Sequence, residues 1–254
     1  MSEVSASIIE QFMPHGWDWQ WVVQEDGETG SIATALPRDP RISLGSGRAG
    51  GPAVARTLAL ARTTGELVRT LDADDTLLPG ALARDIEILT TYPDLGWVTS
   101  QALSLLPDGS ARPWEPPAEG PIKKDEVLSH WVETGGFPPV VPGTLCIRRS
   151  LLLALGGWMA LPGAEDTGLL MAANTVSDGY FMRTPSLLYR QHTEQTTAQP
   201  YHTDLGRREE RGRLIVARAE ALRQLMMQHA SAHPGDGDRP YNGRSTDRST
   251  HALR

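Results

Sequence analysis

Cysteine is all but missing from this 254-residue chain, where Cys146 stands alone. An intrachain disulfide is therefore excluded, as is a four-cysteine zinc site, and a reducing compartment is the natural expectation. Positive charge is also short: 24 Lys and Arg face 31 Asp and Glu, for a formal net charge of −7. Phosphate backbones draw basic surfaces, so no nucleic-acid partner is expected. A phosphate-bearing small molecule stays open, because a bound cation can supply positive charge locally. No window approaches the roughly 18 uninterrupted apolar residues of a membrane-spanning helix. Met1 to Gln11 carries no basic stretch followed by an apolar core, so no signal peptide is expected, and the protein is read as cytoplasmic. The glycine-rich stretch Gly45 to Gly51 lacks the Gly-Lys-Ser/Thr ending of a Walker loop and reads as a flexible connection.

What is present is an ordinary globular mixture, 39% hydrophobic and 22% charged, long enough for one large domain. Short apolar runs alternate with amphipathic stretches, the rhythm of an α/β domain. Trp19 to Val23 is aromatic and β-branched and ends at the turn signal Glu25-Asp26-Gly27. Trp17, Trp19 and Trp21 alternate as in a half-buried strand, with core packing as their default role. Pro52 opens a helix that carries Val54, Leu58 and Ala61 on one face. Glu66 to Leu71 reads as a buried strand, and Leu82, Ile86 and Leu89 as a helix closed by Pro93. Further strands are predicted at 97–106, 144–147, 180–182 and 187–189, helices at 125–132 and from 164, and a proline-rich loop over 111–120. Arg207 to His229 reads as a long charged helix with Leu214, Ala217, Ala221 and Leu225 on one side. The expected organisation is a domain over 1–205, a C-terminal helix over 206–230 and a disordered polar tail over 231–254.

The chemistry concentrates at Asp72-Ala73-Asp74-Asp75, directly after the 66–71 strand. Three carboxylates within four residues repel one another and are costly unless solvent or a cation reaches them. The carboxyl ends of strands in open α/β sheets are also where ligands bind. Carboxylate oxygens suit Mg²⁺ or Mn²⁺, which take further ligands from substrate phosphates. Residues i and i+2 of an extended segment project to one side, so one carboxylate can hold the metal and the other a ribose hydroxyl. A solvated acidic turn capping the next helix is the bland alternative, and a D-x-D step alone does not exclude it.

The ordered set Arg56, Gly65-Glu66, Asp72-Ala73-Asp74-Asp75 and Pro79 resembles the signature of family 2 glycosyltransferases. Ser7 to Gln11 with Trp21 to Gly27, Gly156-Gly157-Trp158 with Glu165-Asp166, and Tyr189 to His192 with Gln195-Thr196-Thr197 match further family segments in order. The resemblance spans roughly residues 5–200. It implies a GT-A-like, Rossmann-like single domain with a mixed central sheet flanked by helices, and inverting sugar transfer from a nucleotide-diphosphate donor, a UDP-sugar by default. It also implies that Glu25 or Asp26 contacts the base, that Arg56 approaches base or diphosphate, and that Asp72 binds ribose. Asp74 would ligate Mn²⁺ or Mg²⁺ with Asp75 adjacent and His192 as an additional contact, and Asp166 would take the proton from the acceptor hydroxyl.

Each role has a structural competitor. Glu165 and Asp166 also fit as ordinary helix N-terminal acids, His192 as a hydrogen-bonded strand histidine, and Arg56 as half of a surface ion pair. The family's usual first strand, central in its sheet, has no counterpart, since the match begins in the helix at about Val4. Its loss predicts two neighbouring strands with unpaired backbone and an exposed apolar seam. The acceptor is expected to be a hydroxyl of a saccharide, glycolipid or natural product. A degenerate domain that binds nucleotide or a partner without turnover is the alternative. A nucleotidyltransferase ranks last, for want of a basic, glycine-rich triphosphate cradle.

Overall fold

Pro52 at the first helical turn, glycines where the chain reverses, and β-branched runs between them divide the chain into short alternating elements. The computed structural model describes residues 2–193, Gln195 and 200–232. In order, helix α1 (Ser2–Ile9) precedes strands β1 (Trp21–Gln24) and β2 (Ile42–Gly45), then helix α2 (Pro52–Ala59). Strands β3 (Leu67–Arg69) and β4 (Thr76–Leu77), helix α3 (Ala81–Thr91) and strand β5 (Trp97–Leu105) follow. Next come β6 (Ala111–Pro113), β7 (Gly120–Ile122), α4 (Glu126–Glu133), β8 (Cys146–Arg148) and α5 (Arg149–Ala154). Helix α6 (Glu165–Val176), strand β9 (Gly179–Arg190) and helices α7 (Pro200–Thr203) and α8 (Leu205–Ala232) complete the described chain.

The result is a mixed α/β fold. Seven strands form one sheet in the order β3-β8-β5-β9-β4, with β6 on β5 and β7 on β9, and β1 and β2 pair separately in parallel. Strand β5 runs parallel to β9 and antiparallel to β8, so the large sheet is mixed. Trp97, Val98, Thr99 and Ser100 of β5 are fully buried, as expected of a central strand covered on both faces. The main core joins Trp97, Ile147, Leu169 and Phe181 to Val127 and Leu128 of α4 and to Ile215 and Ala219 of α8. A second cluster seats Val4 and Ile8 of α1 against Leu77, Ala102 and Leu187.

Several elements differ from expectation for identifiable reasons. The segment read as a buried strand at 66–71 is only half-buried, because β3 lies at the end of its sheet. The proline-rich 111–120 stretch is not all loop, since Ala111–Pro113 pairs with β5 and Gly120–Ile122 pairs with β9. The two strands expected at 180–182 and 187–189 are one, β9, whose pairing with β5 shifts register between Ser100 and Ala102. Of the three alternating tryptophans only Trp21 lies in a strand, while Trp19 is buried beneath the Arg41 guanidinium, 3.7 Å from its ring centroid.

The buried face of α8 is also rotated from the predicted one. Leu214 is 50% exposed and Leu225 53%, whereas Ile215 and Ala219 are buried and Leu222 packs beside them. Small residues permit this docking: Gly168 of α6 lies against Ile215, where a Cβ would come within 3.4 Å of its Cγ1. Thr196, Thr197 and the tail from residue 233 onward lie outside the described residues. Among the described residues no helix is long and apolar enough to cross a membrane.

This packing sets a paired expectation. Ile215→Ala removes a fully buried side chain and should cost about 2–5 kcal/mol in denaturant unfolding, whereas Leu214→Ala should change stability by less than about 0.5 kcal/mol. Equal losses for the two variants would mean that α8 does not dock through the Ile215 face.

Candidate active site

Three segments built differently meet at one cleft of about 490 Å³. The carboxyl end of β1 contributes Val22 to Gln24 and Asp26, the loop after β3 contributes Leu71 to Asp74, and the start of α6 contributes Ala164 to Asp166. Helix α2 lays Ala55 and Arg56 across the space between them. It approaches closely because Gly157, at φ 74°, has no side chain: a Cβ there would come within 3.0 Å of Thr57 Oγ1.

Arg56 is the cation of this cleft. Its guanidinium donates to Glu165 Oε1 at 2.6 Å and to Asp72 Oδ1, joining the β3 loop to α6. Burial works to lower the pKa of this guanidinium, and the carboxylates of Asp72, Glu165 and Asp166 outweigh it and raise it. Asp26 takes another task, accepting from the backbone N–H groups of Gly50 and Gly51 at 2.7–3.1 Å, which ties the glycine-rich loop to the end of β1. Glu25 is buried and does not line the cleft. Its carboxylate accepts from the N–H groups of Thr29 and Gly30 at 3.2 and 3.1 Å.

The three aspartates of the acidic cluster part ways. Asp72 meets Arg56. Asp74, 40% exposed, turns Oδ2 toward His192 Nε2 at 2.9 Å. Asp75 is buried and accepts from the Arg190 backbone N–H at 2.9 Å. Burial, helped by the charges of Asp72 and Asp74, pushes its pKa up to about 7. Arg190 also donates from Nε to the Asp74 carbonyl at 3.0 Å and reaches Glu3, so the end of β9 clasps the acidic turn.

The segment before α6 is held in an unusual conformation. Ala164 has φ 61°, a left-handed geometry that costs a residue with a Cβ about 1–2 kcal/mol. It precedes Glu165 and Asp166, and non-glycine residues held this way gather at functional sites. Asp166 is half-buried and accepts from the Thr167 N–H at 2.6 Å. Its pKa is pushed up to about 6, first by burial and then by the charge of Glu165.

Asp26, Arg56, Asp72, Asp74 and Asp166 therefore share one cleft, and His192 reaches it through Asp74. Glu25 and Asp75 are directed elsewhere. Tyr189, Gln195 and His202 also line the cleft. His202 was not singled out in the sequence, although it packs over Gly163, where a Cβ would fall 2.5 Å from its Cε1. No local pattern announces it; the nearest signal is the Pro162-Gly163 pair opposite it. Among the described residues no three His, Cys, Asp or Glu side chains converge as a self-sufficient metal cage. Asp74, beside His192, offers one carboxylate to a partial site whose remaining ligands come from water and phosphate, the manner in which carboxylates commonly hold Mg²⁺.

Residues 2–111 match the family model described as Glycosyl transferase family 2. No curated protein sequence matches the chain. Among solved structures, S. aureus TarS 1–349 in complex with UDP-GlcNAc is 15% identical, with a TM-score of 0.64 over 93% of this chain and 70% of that one. The complex of the same protein with UDP is 17% identical, with a TM-score of 0.61, covering 93% and 69%. Another TarS 1–349 structure is 17% identical, with a TM-score of 0.57 over 74% of this chain, and there the chain spans little more than half, 56%, of its counterpart. The shared architecture is the GT-A-like fold.

The conformation of Ala164 gives a direct test of the local strain. Ala164→Gly should raise unfolding stability by about 1 kcal/mol, while Ala164→Val should lower it by more. A destabilised glycine variant would show that the left-handed turn costs nothing here.

Proposed function

From the match of residues 2–111 to the glycosyl transferase family 2 model, we propose that the chain transfers a sugar from a nucleotide-diphosphate donor to a hydroxyl acceptor with inversion. A UDP-sugar is the default donor, in keeping with the UDP and UDP-GlcNAc complexes of the structurally similar TarS. The acceptor is a saccharide, glycolipid or natural-product hydroxyl, and the working compartment is the cytoplasm. The observation that carries the reading is the convergence of Arg56, Asp72, Asp74 and Asp166 on a single cleft.

Charge supports a metal-assisted reading. The described lining holds five carboxylates, Asp26, Asp72, Asp74, Glu165 and Asp166, against the one guanidinium of Arg56. A diphosphate entering so anionic a cleft needs more cation than Arg56 offers. Asp74 and His192 would hold the Mn²⁺ or Mg²⁺, which when bound neutralises the charge growing on the departing diphosphate. Asp72 accepts from a ribose hydroxyl, and Arg56 contacts base or diphosphate. Asp166 takes the proton of the acceptor hydroxyl as its oxygen attacks the anomeric carbon and the bond to the diphosphate breaks. A carboxyl group with a pKa near 6 is a stronger base than an ordinary aspartate and remains ionised at pH 7.

Turnover itself separates this reading from the second, a domain that binds nucleotide or a partner without transferring a sugar.

Titration with UDP, with and without Mn²⁺, separates these readings from a chain that binds no nucleotide. Metal-dependent binding is expected, and Asp74→Asn should weaken it about tenfold or more. Unchanged metal-dependent binding in that variant would remove Asp74 from the metal site. Asp166→Asn should lower transfer about 10²–10⁴-fold while leaving UDP affinity within about threefold. Near-normal transfer would dismiss Asp166 as the base.

Since the base works only when ionised, kcat/KM should fall about tenfold per pH unit below about 6 and level off above it. An acidic limb centred near 4 would mean that Asp166 is not the titrating group.

A further inference from the structure

Of the seven tryptophans six are buried or half-buried, and one, Trp114, stands 45% exposed. It follows strand β6 in a stiff setting. Pro113 before it has one backbone torsion fixed, and Glu115 after it precedes Pro116, which favours extended backbone. The Trp114 N–H donates to Ala102 O at 3.3 Å, and its carbonyl accepts from the Gln101 side-chain amide at 3.0 Å. Both backbone groups are therefore tied to β5. A large ring on a backbone held this firmly loses little freedom when a ligand lands on it.

The sheet register decides where the ring goes. Leu103 pairs with Pro113, so Trp114 falls opposite Ala102 and shares its face. Ser104, two residues on, shares that face and pairs with Arg112 on one edge of β5 and with Tyr189 on the other. Strands β6 and β9 thus lie about 10 Å apart, two strand spacings, with β5 between them. Because β5 presents only the small side chains of Ala102 and Ser104 here, the rings of Trp114 and Tyr189 meet above it, centroids 6.3 Å apart and planes at 80°. An edge-to-face pair occupies one face of one ring at most. The indole keeps a face open, as its exposure shows.

This pair adjoins the candidate active site. Tyr189 lines the cleft, and three residues further along the chain His192 meets Asp74 at 2.9 Å. Trp114 lies outside the lining, one ring outward from Tyr189. Its neighbours on this face are polar. They are the Ser104 hydroxyl, the Gln191 amide that donates to it at 3.2 Å, and the exposed Arg112. An alkyl chain needs a continuous apolar groove. A single ring rimmed by hydroxyl, amide and guanidinium suits a ligand with an apolar C–H face and a hydroxyl edge, which is a pyranose.

We propose that Trp114, braced by Tyr189, is a saccharide platform beside the cleft, and that the acceptor is a glycan of at least two sugar units. The unit bearing the reacting hydroxyl lies in the cleft, and the next rests its C–H face on the indole. The assignment to the acceptor rests on the function proposed above; the saccharide platform does not.

The test measures binding of glucose, cellobiose, cellotetraose, N-acetylglucosamine, chitobiose and chitotetraose to the full chain by saturation-transfer NMR and calorimetry, with UDP and Mn²⁺ affinity measured separately. At least one oligosaccharide should bind saturably and about tenfold or more tightly than its monosaccharide, as expected of one well-placed aromatic contact. Trp114→Ala should erase that advantage without changing the circular dichroism spectrum, and Trp114→Phe, which restores an aromatic face, should keep most of it. A length advantage that survives Trp114→Ala would overturn the proposal, as would failure of every saccharide in the set to bind. Trp114-dependent binding of octyl glucoside, with no oligosaccharide bound, would overturn it in favour of an alkyl chain. Oligosaccharide binding through Trp114 in a chain that binds no UDP keeps the platform and counts against the proposed function alone. Where a UDP-sugar is transferred, equal kcat/KM for a monosaccharide and its disaccharide would reject the two-unit acceptor.

Discussion

The Arg56 guanidinium stands between Asp72 and Glu165, and the geometry of the cleft depends on that one cation. Asp72 ends a segment that follows a half-exposed edge strand, and Glu165 begins a helix buried in the main core. No backbone ladder joins these two places. Arg56 does so from a third element, α2, which is pressed close by the absence of a side chain at Gly157. Glu165 is only 8% exposed at its side chain, so without the guanidinium it would be a buried charge lacking a partner, an arrangement that typically costs several kcal/mol. The ion pair is therefore both the hinge pin of the site and its largest electrostatic commitment.

The remaining charges arrange themselves around that commitment. A guanidinium hydrogen-bonded to two carboxylates reaches Asp166 through its charge alone. Asp74 finds His192, and Asp166 is left with the Thr167 N–H and a pKa near 6. Asp75 resolves the crowding differently, turning inward to the Arg190 backbone, where burial favours its neutral form. The three acids of the cluster thus divide into one paired with Arg56, one partly exposed beside His192, and one turned inward that anchors the turn. The division follows from where each side chain points along a turn, which composition alone does not reveal.

That distinction marks what was legible in the sequence. The α/β alternation, the helix begun by Pro52, the placement of the acidic cluster after an apolar strand and the start of α6 near 164 could all be read from period and punctuation. Asp26, Arg56, Asp72, Asp74 and Asp166 could be gathered by resemblance, and the structure brings them to one cleft. Orientation was not legible. Glu25 and Asp26 are neighbours in an extended segment and so face opposite ways, one into the Thr29–Gly30 turn and the other toward the glycine-rich loop. The face of α8 was missed because its alanines and leucines occupy two adjacent stripes, and only docking on Gly168 selects the one containing Ile215. His202 was missed because its partner surface lies far away in sequence.

Among the described residues β1 and β2 form a sheet apart from the larger one, which affects how the cleft is held. In a continuous sheet the ends of neighbouring strands are fixed by ladder bonds within a few residues. Here the β1–β2 unit is tied to the rest by side chains: Arg62 donates to Val23 O at 2.9 Å and to Gln24 Oε1 at 3.0 Å, and Gln20 bonds Arg62 O and the Thr64 N–H. Side-chain tethers of this kind cost more rotamer entropy per bond than a backbone ladder and permit more relative movement. Asp26 is therefore positioned less tightly relative to Asp72 than Asp72 is relative to Glu165. A ligand spanning both Asp26 and Asp72 therefore supplies part of that ordering itself, at a cost to its binding free energy.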